Sequence, residues 1–201
     1  MKIFKVPERK LQNISGGVEP RIFRPEENKD VLAKIKHRYK LQTPFIFYPT
    51  SISPRKNIDR VLDAFEKIQN DIPHHLYFTG ERSWNSLRTE KRLAGPISSR
   101  VHRIGSVPLK DMPAVYSLAE YTIYPSLFEG LGLPLSEAFL CGSPVLTSDQ
   151  TSLPEVAGDA ALIVPAYDTD AIAAGMLRLA EDGPLRLALV EKGKERAQLF
   201  T

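Results

Sequence analysis

Short blocks of consecutive apolar residues alternate along the chain with longer segments whose apolar positions follow a helical period, the pattern of buried strands separated by amphipathic helices. Pro44–Thr50 (PFIFYPT), His74–Gly80, Val101–Val107, Tyr121–Ser126, Pro144–Thr147 and Ala160–Val164 read as six strands. Between them, residues 26–40 place Val31, Ile35 and Tyr39 on one side of a charged helix. Asn57 reads as the cap of a helix in which Ile58, Val61, Leu62, Phe65 and Ile68 keep the 3.6-residue period. A more polar helix is expected over 83–94, and others over 109–119, 169–181 and 184–199. The helix starting at Pro134 stops after Cys141, where Gly142 suits a C-terminal cap. Residues 1–25 carry no periodicity and are rich in Pro, Gly and Arg, which predicts a linker with the domain proper over 26–201. Strands that are apolar throughout, each followed by a helix, predict an α/β fold: a doubly wound parallel sheet covered on both faces. Ligands bind such sheets at the carboxyl ends of the strands, so the informative loops follow Thr50, Gly80, Val107, Ser126 and Thr147.

At 201 residues the chain accommodates one well-buried domain. A formal net charge of +3 is too small to argue for nucleic acid, though it suits an anionic ligand. One cysteine, Cys141, excludes an internal disulfide and a cysteine-rich zinc site. The first residues lack the apolar core of a secretion signal and no stretch is long and apolar enough to span a bilayer, so a cytoplasmic location is expected.

Two loops carry candidate chemistry. After the first strand, Arg55 and Lys56 sit just before a helix start, where the dipole is already positive; a bound anion would remove that conflict. Arg55 can grip a phosphate through two N–H groups while Lys56 supplies a point charge. The competing reading leaves both cations in solvent, with Asn57 alone mattering as a cap. After the fourth strand comes Phe128-Glu129-Gly130-Leu131-Gly132-Leu133-Pro134-Leu135-Ser136-Glu137-Ala138, two carboxylates flanking a glycine-punctuated turn that opens a helix. Free amides there form an anion site and the carboxylates can accept bonds from hydroxyls, so phosphate plus polyol, a nucleotide sugar, is the ligand this run describes. The spacing alone proves little, since Glu19 and Glu27 repeat it, and Glu137 could simply complement the helix dipole; the strand, turn and helix context sets the first pair apart. Gly80 with Glu81, and Gly105-Ser106-Val107, read first as ordinary turns; Trp84 is undecided between packing and a ligand platform. His37, His74, His75 and His102 show no metal-ligand spacing, and His74 and His75 are expected to be solvated.

Taken in order, Pro54-Arg55-Lys56-Asn57, Gly105-Ser106-Val107, the run from Phe128 to Phe139, and Leu153-Pro154-Glu155-Val156-Ala157-Gly158-Asp159-Ala160-Ala161 resemble the C-terminal half of glycosyltransferase family 4. These are GT-B enzymes with two Rossmann-like domains facing a cleft, and the resemblance runs from about Gly17 to the end. It implies that Lys56, with Arg55 beside it, binds the donor diphosphate and stabilises the charge developing there. By the same resemblance Glu129 faces the donor sugar near its reacting carbon. Gly130, Leu131, Gly132 and Leu133 would present backbone amides to sugar and phosphate. Glu137 would hold the ribose hydroxyls, and Val107 lies where the base-contacting loop runs. Such enzymes transfer a sugar from a nucleoside diphosphate to a saccharide or lipid-linked acceptor with retention of configuration, generally without a bound metal, so no metal and no separate cofactor is expected.

Departures from the family pattern shape the expectation. Pro49-Thr50 stands where the family often has Gly-Arg or Gly-Ser, and Glu19 where an Asp is usual in the interdomain segment. The acceptor domain is not in the chain, so the missing N-terminal half is the expected partner, and any peripheral membrane association would come through it. The alternatives are a nucleotide-sugar binding module acting with a separate acceptor-domain chain, or a GT-B epimerase, which the Pro-Arg-Lys-Asn loop and the extended glutamate motif fit less well. That loop is similar to those of mannosyltransferases in surface-polysaccharide pathways.

Overall fold

A computed structural model describes residues 7, 10, 16–80 and 87–201. Its strands are β1 (Phe45–Tyr48), β2 (His75–Phe78), β3 (Val101–Arg103), β4 (Tyr121–Tyr124), β5 (Val145–Ser148) and β6 (Ala161–Val164). All pair in parallel, in the order β3-β2-β1-β4-β5-β6. This is the doubly wound order, in which successive connections run outward from β1 in one direction and then outward from β4 in the other. The point of reversal falls between β1 and β4, paired at Ile46–Tyr121 and Phe47–Thr122. Both strands are buried along their whole length, which is why their sequences show no alternation of apolar and polar residues.

Among the described residues eight helices cover the sheet: α1 (Lys29–Arg38), α2 (Ile58–Ile68), α3 (Leu87–Leu93), α4 (Met112–Leu118), α5 (Leu133–Leu140), α6 (Leu153–Ala157), α7 (Thr169–Glu181) and α8 (Gly183–Ala197). Helix α2 packs on α7, α5 on α8 and α6, and α1 on α4. The α2 residues picked out by the helical period, Ile58, Val61, Leu62, Phe65 and Ile68, are all buried. Helix α6 and the 3-10 turn Pro54–Lys56 were not among the elements expected from periodicity, because five and three residues are too short to show a period. No helix among the described residues is long and apolar enough to cross a membrane.

Three local readings change. Asn57 adopts φ +62° and makes no side-chain cap; its amide instead donates to Pro125 O (3.0 Å) and Ala166 O (2.7 Å), tying the loops after β1, β4 and β6 together. His74 is not solvated: it is 2% exposed, with Nε2 3.2 Å from Glu120. The segment 16–25, aperiodic in sequence, sends Val18 and Phe23 into the core, and Val18 N–H donates to Phe200 O at 2.7 Å. Trp84 and Glu81 lie outside the described residues.

Candidate functional site

The turn after β1 and the loop after β4 meet at the reversal point of the sheet. Phe47 and Tyr48 end β1 against β4, and the chain then passes through Pro54–Lys56 before α2 begins. Leu127 N–H donates to Arg55 O at 2.8 Å, which fastens the two loops by their backbones. Tyr48, fully buried, donates its hydroxyl to Lys56 O and so fixes where the lysine leaves the chain.

Lys56 lies flat in the interior. Its side chain is 8% exposed, Nζ stands 4.4 Å from the Tyr124 ring centre and reaches the Tyr124 hydroxyl, and Glu129 Oε1 is 2.6 Å away. Arg55, exposed, approaches the same Oε1 at 2.9 Å and the Phe128 carbonyl at 3.3 Å. One carboxylate oxygen therefore accepts from both cations. Burial lowers the Lys56 pKa and outweighs the opposing pull of Glu129. For Glu129 burial pushes up, but the hydrogen bond and charge of Lys56, with Arg55 behind, hold the carboxyl below its ordinary range. The Glu129 backbone is gripped by the loop after β5: its N–H donates to Thr151 Oγ1 (3.0 Å) and its carbonyl accepts from Ser152 Oγ (3.2 Å).

Beyond Glu129 the chain turns through Gly130 and Leu131 into α5. Gly132 sits at φ +85°, and a Cβ there would stand 2.7 Å from Leu153 Cδ2, so the turn needs glycine both for its backbone and for its neighbour. Gly130 has open space around it. Leu131 is partly buried and Leu133 is exposed. Pro134 occupies the second helical position rather than the first, where its missing N–H is equally harmless.

Glu137, one turn into α5, faces a cleft of about 310 Å³ whose walls include Pro49, Gly80, Ser106, Val107 and Pro134. The turns at Gly80 and Ser106-Val107, read from sequence as ordinary loop glycines and neighbours, thus reach the same crevice as the second carboxylate. Gly80, at φ +87°, brings its backbone so close to the β1 loop that a Cβ would lie 2.7 Å from Ser51 Cα. Burial raises the Glu137 pKa, opposed by a 2.7 Å hydrogen bond from the Tyr116 hydroxyl. Among the described residues no three His, Cys, Asp or Glu side chains converge on a metal-sized space.

Of the candidate site residues, Arg55, Lys56 and Glu129 are in direct contact, Val107 and Glu137 line the adjoining cleft, and Gly130, Leu131, Gly132 and Leu133 form the turn and helix start between Glu129 and Glu137, all at the carboxyl edge of the sheet. Sequence reading missed Tyr124, Tyr116, Thr151 and Ser152. The two tyrosines look like core positions in a strand and a helix, and only their hydroxyls could have hinted otherwise. The loop holding Thr151 had as its signal the motif beginning at Leu153.

Comparison with known proteins bears on what this arrangement is. The family model described as "Glycosyl transferases group 1" matches residues 32–196. The chain is 35% identical over 160 residues to the O-antigen chain mannosyltransferase B of Escherichia coli, covering 78% of this chain and 42% of that protein. It is 27% identical over 195 residues to a GDP-mannose-dependent alpha-(1-6)-phosphatidylinositol monomannoside mannosyltransferase of Mycolicibacterium smegmatis, covering 90% of this chain and 50% of that one. The chain therefore spans half or less of the length of these relatives. A crystal structure of a glycosyltransferase from Rickettsia africae superposes with a TM-score of 0.86 at 18% identity, covering 98% of this chain and 54% of that one. By the match over most of its length, the chain belongs to the group 1 glycosyl transferases, with the α/β fold of a GT-B half.

Proposed function

We propose that the crevice binds a nucleoside-diphosphate hexose, with GDP-mannose as the leading candidate, and that the chain supplies the donor half of a retaining glycosyltransferase. The observation that carries this is the convergence of Arg55, Lys56 and Glu129 at the point where the sheet reverses direction, beside a cleft holding Glu137. Two cations in a partly dry site suit a diphosphate, whose negative charge grows as the bond from the sugar carbon to the phosphate oxygen breaks. Lys56 and Arg55 stabilise that charge; Glu129, released from part of its pairing as phosphate takes its place, faces the sugar. Glu137 accepts from ribose hydroxyls, Val107 borders the base, and the amides of Gly130 to Leu133 line the space between. The charge is supplied by side chains, so donor binding needs no metal. The acceptor belongs to a second domain, which closes the crevice; holding both substrates in register is what makes transfer fast. The mannosyl donor is supported by the names of the two relatives above.

Calorimetric titration with GDP, UDP and ADP in the presence of EDTA tests the reading. GDP is expected to bind with at least millimolar affinity, and Lys56→Ala and Glu137→Ala each to weaken it. No binding of any of the three would overturn the proposal, and binding that appears only when divalent metal is added would overturn the metal-free part of it.

A further inference from the structure

Tyr116 is fully buried in α4, remote in sequence from both candidate loops. A buried phenol needs a partner for its hydroxyl, and this one donates to Glu137 Oε2 at 2.7 Å. Its ring is fixed from two sides by edge-on contacts with Phe47 of β1 (centres 5.1 Å apart, 82° between planes) and Phe23 of the leading segment (6.3 Å, 65°). The hydroxyl consequently has one direction available, across to α5. Phe23 and Glu137 both line the cleft, whereas Tyr116 stands behind them.

We propose that Tyr116 is a positioning residue: it anchors Oε2 of Glu137 from the core side so that Oε1 is presented to the crevice as the acceptor for the ligand's sugar hydroxyls. This rests on the reading of Glu137 given above. A carboxylate held at one oxygen loses less freedom when it accepts a ligand, and a hydrogen bond to an ionised acceptor is among the stronger ones. The same bond favours the ionised form. Burial alone drives Glu137 toward its neutral form, and Tyr116 opposes it. The other titratable groups nearby do not help, since Cys141, one turn along α5, and Tyr124 of β4, beyond Tyr116, are themselves kept neutral by burial.

The test is GDP affinity of the chain between pH 5 and 8, for the wild type, Tyr116→Phe, Glu137→Ala and the double variant. Tyr116→Phe is expected to weaken GDP about three- to tenfold at pH 8. The loss of affinity on acidification should begin at higher pH than in the wild type, because the carboxyl then feels burial unopposed. In the Glu137→Ala background Tyr116→Phe should change affinity less than about twofold, as expected when two groups act as one. Replacing Tyr116 by 3-fluorotyrosine, a stronger donor of nearly the same shape, should move the acid limb the other way. An unchanged affinity and pH profile in Tyr116→Phe, or an equal loss with and without Glu137, would show that Tyr116 merely packs. Failure of the wild type to bind GDP, UDP or ADP would instead refute the nucleotide reading and this inference with it.

Discussion

Lys56 Nζ and Glu129 Oε1 lie 2.6 Å apart although 73 residues separate them in the chain. Each is carried to the meeting point by a different central strand, and neither side chain is more than 10% exposed. The pair therefore belongs to the site and to the stability of the fold at once. Removing one partner of a buried pair leaves a charge without compensation, while replacing both by apolar groups often costs little. Lys56→Met or Glu129→Leu alone is expected to lower the unfolding free energy by about 3 kcal/mol. The double variant should lose less than the sum, as read from urea denaturation.

The same pair sets an acid dependence. Glu129 is held below its ordinary value of 4.5 in the folded chain, so the folded state binds fewer protons than the unfolded one as the pH falls from there. Its contribution to stability is complete above pH 4.5 and fades below it, through the lower folded value. Urea midpoints measured from pH 7 down to 3 should therefore fall more steeply for the wild type than for the Lys56→Met, Glu129→Leu double variant.

Gly130 and Gly132 stand two residues apart and are expected to respond oppositely. Gly132→Ala meets both a left-handed backbone and Leu153 Cδ2 at 2.7 Å, and should cost about 1–3 kcal/mol in thermal or urea unfolding. Gly130→Ala enters open space and should leave stability within about 0.5 kcal/mol while weakening nucleotide binding.

Asn57 is expected to tolerate neither Asp nor Ala. Asp would replace the one nitrogen that donates to Pro125 O and Ala166 O by a carboxylate oxygen facing both carbonyls. The expected loss is about 2 kcal/mol or more, with Asp worse than Ala because it buries a repelled charge.

Cys141 is 2% exposed beside Glu137, and burial pushes its thiol up to about 12. Iodoacetamide at pH 8 should leave it unmodified in the folded chain and label it stoichiometrically in urea, as followed by mass spectrometry.

Much of this arrangement was legible in the sequence, and the reasons are specific. Wholly apolar strands announced the parallel sheet, and α7 runs over the expected residues because Asp168 caps its start and its period is long enough to count. The candidate loops were legible because their residue types conflict with a purely structural role: two cations at a helix start, and glycines where a strand hands over to a helix. What stayed hidden depends on contacts across the chain. Asn57 looks like a cap in any sequence, and only the approach of Pro125 and Ala166 gives its amide another use. His74 looks like a surface residue until Glu120 is folded against it. Tyr116 is indistinguishable from a core aromatic without Glu137 opposite its hydroxyl.

The strand order has a consequence for motion. The outer strands β3 and β6 are only partly buried, whereas β1 and β4 are covered along their whole length. Local opening starts where few contacts must be broken, so amide hydrogens should exchange first at the two margins and last in the middle. Lys56 and Glu129 hang from the middle pair. Fraying at either margin would leave this pair in register, whereas fraying at β3 would first loosen Ser106 and Val107 and the cleft wall they form.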